Sequence, residues 1–445
     1  MKLFGTDGIR GKAGHAPLVP ETVARVGAAL VKTMIASDPS HRLRYVIGRD
    51  TRESGTWIED ELARGLSAEG ATVVSAGVVP TPAIAYLART EGFDAGIVIS
   101  ASHNPYEDNG IKVFGGSGTK LTEQLEASVE TMVANDWWDV PEQPGKIERH
   151  DLSSHYVQHL REIMKGAGPL AGSHIVVDCA NGATVPIAPK LFRFLGFDVQ
   201  TIGTSPNGRN INLDCGSTHL DALSKAVVAS KARLGIAFDG DGDRALFVDH
   251  TGKVVDGDAV LLMSAIYLHE RGRLPGPAVV ATVMSNIGLE IALRDRGIAI
   301  VRTAVGDKYV MEEMVKRGYA LGGEQSGHVI YSEHLFTGDG LATALNVLRI
   351  VADTGKELSE LAGQLVTYPQ VLVNVRVKQK TDLSTVPAIA STMKKVEQGL
   401  AGNGRLLVRY SGTEPLLRIM LEGQDDQVIR GWADEIAGVV REHLA

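Results

Sequence analysis

Three aspartates spaced by two, Asp239, Asp241 and Asp243, have glycine at both intervening positions and Arg244 directly after them. In a turning loop this spacing directs three carboxylates at one point, and Gly240 and Gly242 omit the side chains that would hinder wrapping around a cation. Left without a cation, the three charges would repel and raise one another's pKa. A hard divalent ion, one per chain and with Mg²⁺ the economical choice, answers that repulsion. The loop is not an EF-hand, which needs glycine at its sixth position and glutamate at its twelfth; counted from Asp239, these are Arg244 and His250. Three protein ligands leave room for a phosphoryl oxygen, so the loop points to phosphate chemistry.

Further polar groups sit at comparable places. Ser100-Ala101-Ser102-His103-Asn104-Pro105 follows the apolar run Ala95–Ile99, and Asn-Pro turns the chain out of strand geometry, leaving a hydroxyl at the end of a buried strand. Ligands of open α/β sheets bind at such strand ends. Arg409-Tyr410-Ser411-Gly412-Thr413-Glu414-Pro415, with Arg418 beyond it, offers hydroxyls, backbone N–H groups and guanidinium forks of the kind a phosphate dianion needs, although Ser-Gly-Thr alone would equally suit a hairpin turn. Glu324 and Ser326, flanked by glycines, could hold sugar hydroxyls, with His328 beside them; Arg10, between glycines, reads as delivered by a loop or short strand. Gly115–Lys120 lacks the order of a P-loop, and no Gly-x-Ser-x-Gly elbow supports acyl transfer.

The elements needed to position these groups recur. Strand-like runs at Tyr45–Gly48, Thr72–Val74, Ala95–Ile99 and Gly110–Phe114 alternate with helical spacing after Pro20 and around Ile58, Leu62 and Leu66. Trp137–His150, with Pro141, Pro144 and Gly145 among charges, reads as a linker. A second βα series runs from His174 to a hairpin ending at Val255, and a third from Asp256 to a boundary at Tyr368-Pro369. Beyond that, alternating Val371, Val373, Val375 and Val377, a helix from about Asp382 to Leu400, two more strands and a closing amphipathic helix suggest an antiparallel α+β domain. The expected fold class is α/β: three related α/β domains with mixed, largely parallel sheets, at 1–150, 151–255 and 256–368, and a smaller α+β domain at 369–445.

With 45 basic and 53 acidic residues and a net charge of −8, the 445-residue chain is no candidate for nucleic-acid binding. The longest apolar stretch, Ala259–Leu268, is too short to span a bilayer, and Met1–Arg10 carries no signal-peptide core, so no membrane partner and a cytoplasmic location are expected. Cys179 and Cys215 lack metal-ligand spacing and read as core thiols.

Taken together, the serine, metal, sugar and phosphate loops resemble, in order and spacing, those of the α-D-phosphohexomutase superfamily over essentially the whole chain. Phe4–Gly11 and Gly-Gly-Glu-Gln-Ser-Gly-His at 322–328 are similar to its bacterial phosphoglucosamine mutase branch, whereas phosphomannomutases and phosphoglucomutases more often carry Met at the place of Gln325. The resemblance implies four domains around a central cleft, a phosphoserine at Ser102, and Mg²⁺ held by Asp239, Asp241, Asp243 and that phosphate. It further implies interconversion of glucosamine 6-phosphate and glucosamine 1-phosphate through a bisphosphorylated hexose, which also activates the enzyme. In that scheme Arg10, Lys112 and Arg244 supply positive charge, Lys112 or His328 moves the sugar proton, and His103 assists Ser102 structurally. Glu324, Ser326, Arg409, Ser411, Gly412, Thr413 and Arg418 hold substrate. The implied partner is a small phosphosugar, and the chain would be a monomer or homodimer. A phosphomannomutase or phosphoglucomutase of like mechanism and a non-catalytic phosphosugar-binding protein are the alternatives.

Overall fold

A computed structural model describes residues 3–5, 7–35, 41–135, 138–411 and 415–444. The chain divides into two compact units, Met1–Met284 with Ile300–Gly363, and Ser285–Ala299 with Gln364–Ala445.

The first unit opens with strands β1 (Phe4–Gly5), β2 (Gly8–Lys12), β3 (Arg44–Arg49), β4 (Thr72–Val78), β5 (Ala95–Ile99), β6 (Asp108–Gly115) and β7 (Glu148–Arg149), ordered β1-β2-β6-β5-β3-β4-β7 in one sheet. β5, β3, β4 and β7 run parallel, while β6 and β2 pair antiparallel. Every residue of β5 is buried, as an uninterrupted apolar run with helices on both faces requires. Helices Pro20–Ile35 and Gly55–Ala68 pack against each other where Gly65 carries no side chain; a Cβ there would lie 1.9 Å from the Ala24 carbonyl oxygen. The expected linker ends in β7, an edge strand on β4. A helix at Thr81–Thr90, between β4 and β5, had no signal strong enough to place it from sequence.

The next sheet holds β8 (His174–Asp178), β9 (Asp198–Ile202), β10 (Leu234–Phe238), β11 (Ala245–Asp249) and β12 (Val254–Val255), ordered β12-β11-β10-β8-β9, with β10, β8 and β9 parallel and the hairpin antiparallel. The third, ordered β14-β13-β15-β16, holds β13 (Ala278–Thr282), β14 (Ala299–Thr303), β15 (Leu321–Gly323) and β16 (Val329–Tyr331). The apolar stretch at Ala259–Leu268 lies in helix Gly257–Glu270, buried nearly all round, and among the described residues no helix is long and apolar enough to cross a membrane.

In the second unit, β17 (Gln370–Arg376), β18 (Arg405–Tyr410) and β19 (Leu416–Glu422) form an antiparallel sheet ordered β17-β19-β18. The helix expected from about Asp382 starts later, at Pro387; a short 3₁₀ turn, Leu383–Thr385, precedes it, and Pro387 takes the first helical turn, where a missing N–H costs nothing.

Candidate active site

Fully buried β10 runs directly into Asp239, and the loop turns at Gly242, whose φ of 72° favours glycine. One oxygen from each of Asp239, Asp241 and Asp243 falls in a group whose members lie within 4.8 Å of one another. Asp241 Oδ2 accepts from Thr81 Oγ1 (2.7 Å) and Lys112 Nζ (2.8 Å), whereas Asp241 Oδ1 and Asp243 Oδ1 are buried without a hydrogen-bond partner among the described residues. Buried, unpartnered carboxylate oxygens fit a divalent cation, because hard ions take oxygen ligands and uncompensated burial is costly. Burial, then the charges of Asp243 and Asp241, push the Asp239 carboxyl well above its ordinary pKa; burial acts likewise on Asp243, but Lys112, His328 and Arg244 hold it well below.

Ser102 sits at the end of β5, its Oγ donating to Asp239 Oδ2 at 2.6 Å. This contact joins the first sheet's serine loop to the second sheet's metal loop. The approach depends on Gly240, where a Cβ would lie 2.5 Å from the Ser102 carbonyl oxygen. His103 Nδ1 lies 3.2 Å from Ser102 Oγ and accepts from Arg244 Nη1 at 3.2 Å. Burial, then the charges of Arg244 and Arg10, lower the His103 pKa to about 4, so the ring is neutral near pH 7.

Lys112, on β6, reaches Asp241 Oδ2 at 2.8 Å, Asp7 Oδ2 at 3.1 Å and Asp243 Oδ2 at 3.3 Å. Burial would lower its pKa, but these carboxylates raise it well above the ordinary lysine value, making it a fixed positive charge. Arg10 donates to the Ala101 carbonyl at 3.1 Å and pairs with Asp7 at 2.5 Å. A cavity of about 650 Å³ opens beside these groups, lined among others by Arg10, His103, Asp243, Arg244, Glu324 and His328. Arg10 Nε and Arg244 Nε are buried and without a hydrogen-bond partner among the described residues, as is Ser326 Oγ, which lines an adjoining recess of about 470 Å³ with Arg244 and Glu324. Glu324 Oε1 accepts from the Gly306 N–H at 3.3 Å.

His328 Nε2 accepts from the Gly338 N–H at 3.0 Å, leaving the proton of the neutral ring on Nδ1, 3.7 Å from Asp243 Oδ2. Burial lowers its pKa, but the nearby Asp243 carboxylate, then Asp307 and Glu324, raise it above the ordinary value.

The phosphate-loop residues belong to the second unit. Arg409 on β18 stands directly opposite Arg418 on β19, so both side chains leave the same face of the sheet. Ser411 is buried, and its N–H donates to the Leu416 carbonyl at 2.8 Å. Gly412 and Thr413 lie outside the described residues.

Family models for phosphoglucomutase/phosphomannomutase match four stretches: alpha/beta/alpha domain I at residues 1–138, domain II at 154–252, domain III at 256–368, and the C-terminal domain at 372–439. A phosphoglucosamine mutase of Solibacter usitatus is 51% identical over 445 residues, 99% of each chain, and one of Caldicellulosiruptor bescii is 47% identical over 451 residues, the whole of both. The chain belongs to the phosphoglucosamine mutase family. A solved phosphoglucomutase/phosphomannomutase family protein from Burkholderia thailandensis superposes with a TM-score of 0.82 at 25% identity, covering 99% of this chain and 97% of that one. The fold is shared more distantly with Aspergillus fumigatus N-acetylphosphoglucosamine mutase, solved with GlcNAc-6P and magnesium (TM-score 0.68, 18% identity, 99% and 95% coverage).

Within this family member, sequence reasoning had passed over several residues at the cavity. Lys120 bridges Asp7 Oδ1 and Asp307 Oδ2, both at 2.5 Å, and lies in the segment set aside as a failed P-loop. Lys112, Lys120 and Arg10 overcome the effect of burial and hold Asp7 below the usual carboxylate range. Isolated acids and lysines carry no spacing signal; only the fold makes neighbours of positions more than a hundred residues apart.

Proposed function

We propose that this protein is a phosphoglucosamine mutase that interconverts glucosamine 6-phosphate and glucosamine 1-phosphate, with Ser102 as phosphoryl carrier. The supporting observation is the Ser102 hydroxyl, 2.6 Å from Asp239 and beside two unpartnered carboxylate oxygens. Asp239, Asp241 and Asp243 would hold Mg²⁺, which supplies charge neutralisation at the phosphoryl oxygens.

In phosphorylated form Ser102 presents phosphorus to the free hydroxyl of the bound monophosphate. The Ser102 O–P bond breaks and a bond from the sugar oxygen to phosphorus forms, while the proton given up by the sugar hydroxyl, moved by Lys112 or His328, ends on the departing Ser102 oxygen. Ser102 is freed and a bisphosphorylated hexose lies in the site; transfer of its other phosphoryl group to Ser102 completes the cycle. Such transfer needs positioning and charge more than covalent help. Lys112 supplies fixed charge, and Arg10 and Arg244 meet phosphate with guanidinium groups whose Nε atoms make no hydrogen bond among the described residues. Glu324 and Ser326 hold sugar hydroxyls, while Arg409, Ser411, Gly412, Thr413 and Arg418 take the phosphate that is not reacting. A cytoplasmic location and the domain limits 1–150, 151–255, 256–368 and 369–445 belong to the same reading.

Assay of glucosamine, glucose and mannose phosphates side by side tests it. The expected result is the highest kcat/KM for the amino sugar, with one phosphoryl group on Ser102 by intact mass. A preference for glucose or mannose would reassign the substrate, and a chain never phosphorylated would overturn the mechanism.

A further inference from the structure

Ser102 has a φ of 52°, in the left-handed region that non-glycine residues seldom occupy. What holds it there is a buried network that reaches no substrate position. Arg52, fully buried, donates Nη2 to the carbonyl oxygens of Ser102 (3.0 Å) and Asn104 (2.8 Å), and Nη1 to those of Asp108 (3.0 Å) and Pro105. One guanidinium thus gathers four carbonyls of the loop around itself. Its Nε donates to Asp50 Oδ2 at 2.8 Å, and the same oxygen accepts from Ser100 Oγ at 2.5 Å. Ser100 Oγ in turn accepts from the Ser102 N–H at 2.9 Å. Asn212, itself at a φ of 59°, donates Nδ2 to the Ser102 carbonyl at 2.9 Å from the metal-loop side. Both peptide groups flanking the serine are therefore fixed, its N–H through Ser100 and its carbonyl through Arg52 and Asn212.

We propose that Arg52, with Asp50, Ser100 and Asn212, is a positioning device that keeps Ser102 left-handed and aims its oxygen at the aspartate cluster. None of the four touches the reacting atoms; they act through the serine's backbone. A guanidinium is suited to this, because its planar fork binds several carbonyls in fixed directions and stays charged when buried against Asp50. In a relaxed backbone Oγ would swing away from Asp239, and displacements of this order strongly slow reactions that depend on alignment.

The proposal rests on Ser102 being the phosphoryl carrier, and the experiment separates the two claims. Wild type and the variants Arg52→Lys, Ser100→Ala and Asn212→Gly are mixed with glucose 1,6-bisphosphate, and phosphorylation of Ser102 is timed by quenched-flow intact mass. Steady-state kcat and KM on glucosamine phosphate and thermal melts are measured alongside. Asn212→Gly is the most informative variant, since glycine keeps the left-handed backbone while removing the amide donor. The expected result is a phosphoryl-transfer rate and kcat lower by roughly 10- to 100-fold. KM should stay within about threefold, and the melts of Ser100→Ala and Asn212→Gly near wild type. Transfer within twofold of wild type in these two variants would overturn the positioning role. So would a loss of folding in both, which would make the network scaffolding. No phosphoryl group on wild-type Ser102 would instead overturn the carrier reading, and this proposal with it.

Discussion

The first unit buries charged groups around Ser102, while the second carries an arginine at its surface. Around Ser102, Lys112 sits buried among Asp7, Asp241 and Asp243, and the half-buried Lys120 lies between Asp7 and Asp307. In the second unit Arg409 is exposed and stands opposite Arg418 on the neighbouring strand. Buried ions are tolerable only when their partners are fixed, so the first cluster is organised before any ligand arrives. An arginine at the surface is open to an incoming anion without prior desolvation. Under the proposed function, fixed geometry would serve the chemistry and a surface arginine recognition.

The difference is tested most severely at the serine. Ser102→Ala is expected to lower kcat by roughly 10⁴-fold or more, as removal of a covalent carrier does, with the melting temperature changed by only a few degrees. Turnover above one percent of wild type would place the carrier elsewhere. Chelation comes next, with activity falling about 10³-fold and returning on adding Mg²⁺. The fold should survive chelation, because Lys112 already bridges Asp241 and Asp243. A chelator that unfolds the protein would show that the lysine does not balance the cluster.

Much of this arrangement was legible beforehand, for physical reasons. Ala95–Ile99 and Leu234–Phe238 are apolar runs ending in polar loops, and such runs become central strands with their loops at one sheet edge; the serine loop and the aspartates are legible that way, while the choice of Ser102 within its loop comes from the family resemblance. What stayed hidden was pairwise. Arg52 lies in an ordinary polar stretch, and nothing local shows that it will gather carbonyls from residues 102–108. Lys120 and Asp307 are likewise unremarkable until the fold joins them. The helix at Thr81–Thr90 escaped because it is short and opens at Thr-Pro directly after a strand, where a turn is the competing reading.

At the second unit, Arg409→Ala should act on binding rather than on the transfer step. Loss of one charged hydrogen bond to phosphate corresponds to a drop of about 10- to 100-fold in kcat/KM, carried mainly by KM. Stability should hold, since Arg409 is exposed. An equal fall in kcat with KM unchanged would put this arginine in the transfer step and erase the contrast between the two regions.

The smallest effect concerns a buried carboxylate that has no lysine. Asp339 caps helix Gly340–Thr354, its Oδ1 accepting from the Ala342 N–H at 2.9 Å and the Tyr156 hydroxyl at 2.8 Å, while Oδ2 is buried without a partner among the described residues. Burial raises its pKa from 3.8 to about 6. The folded state therefore holds this proton more tightly than the unfolded chain does. Its contribution to stability is intact below about pH 4 and is lost as the pH rises through about 6. Asp339→Asn keeps the oxygen acceptor and removes the charge, so relative to wild type it should gain roughly 1–3 kcal/mol at pH 8 and nothing at pH 4. Denaturant unfolding at the two pH values reads this directly. A gain of the same size at both would mean that the uncompensated charge is not what distinguishes Asp339 from the lysine-balanced aspartates beside Ser102.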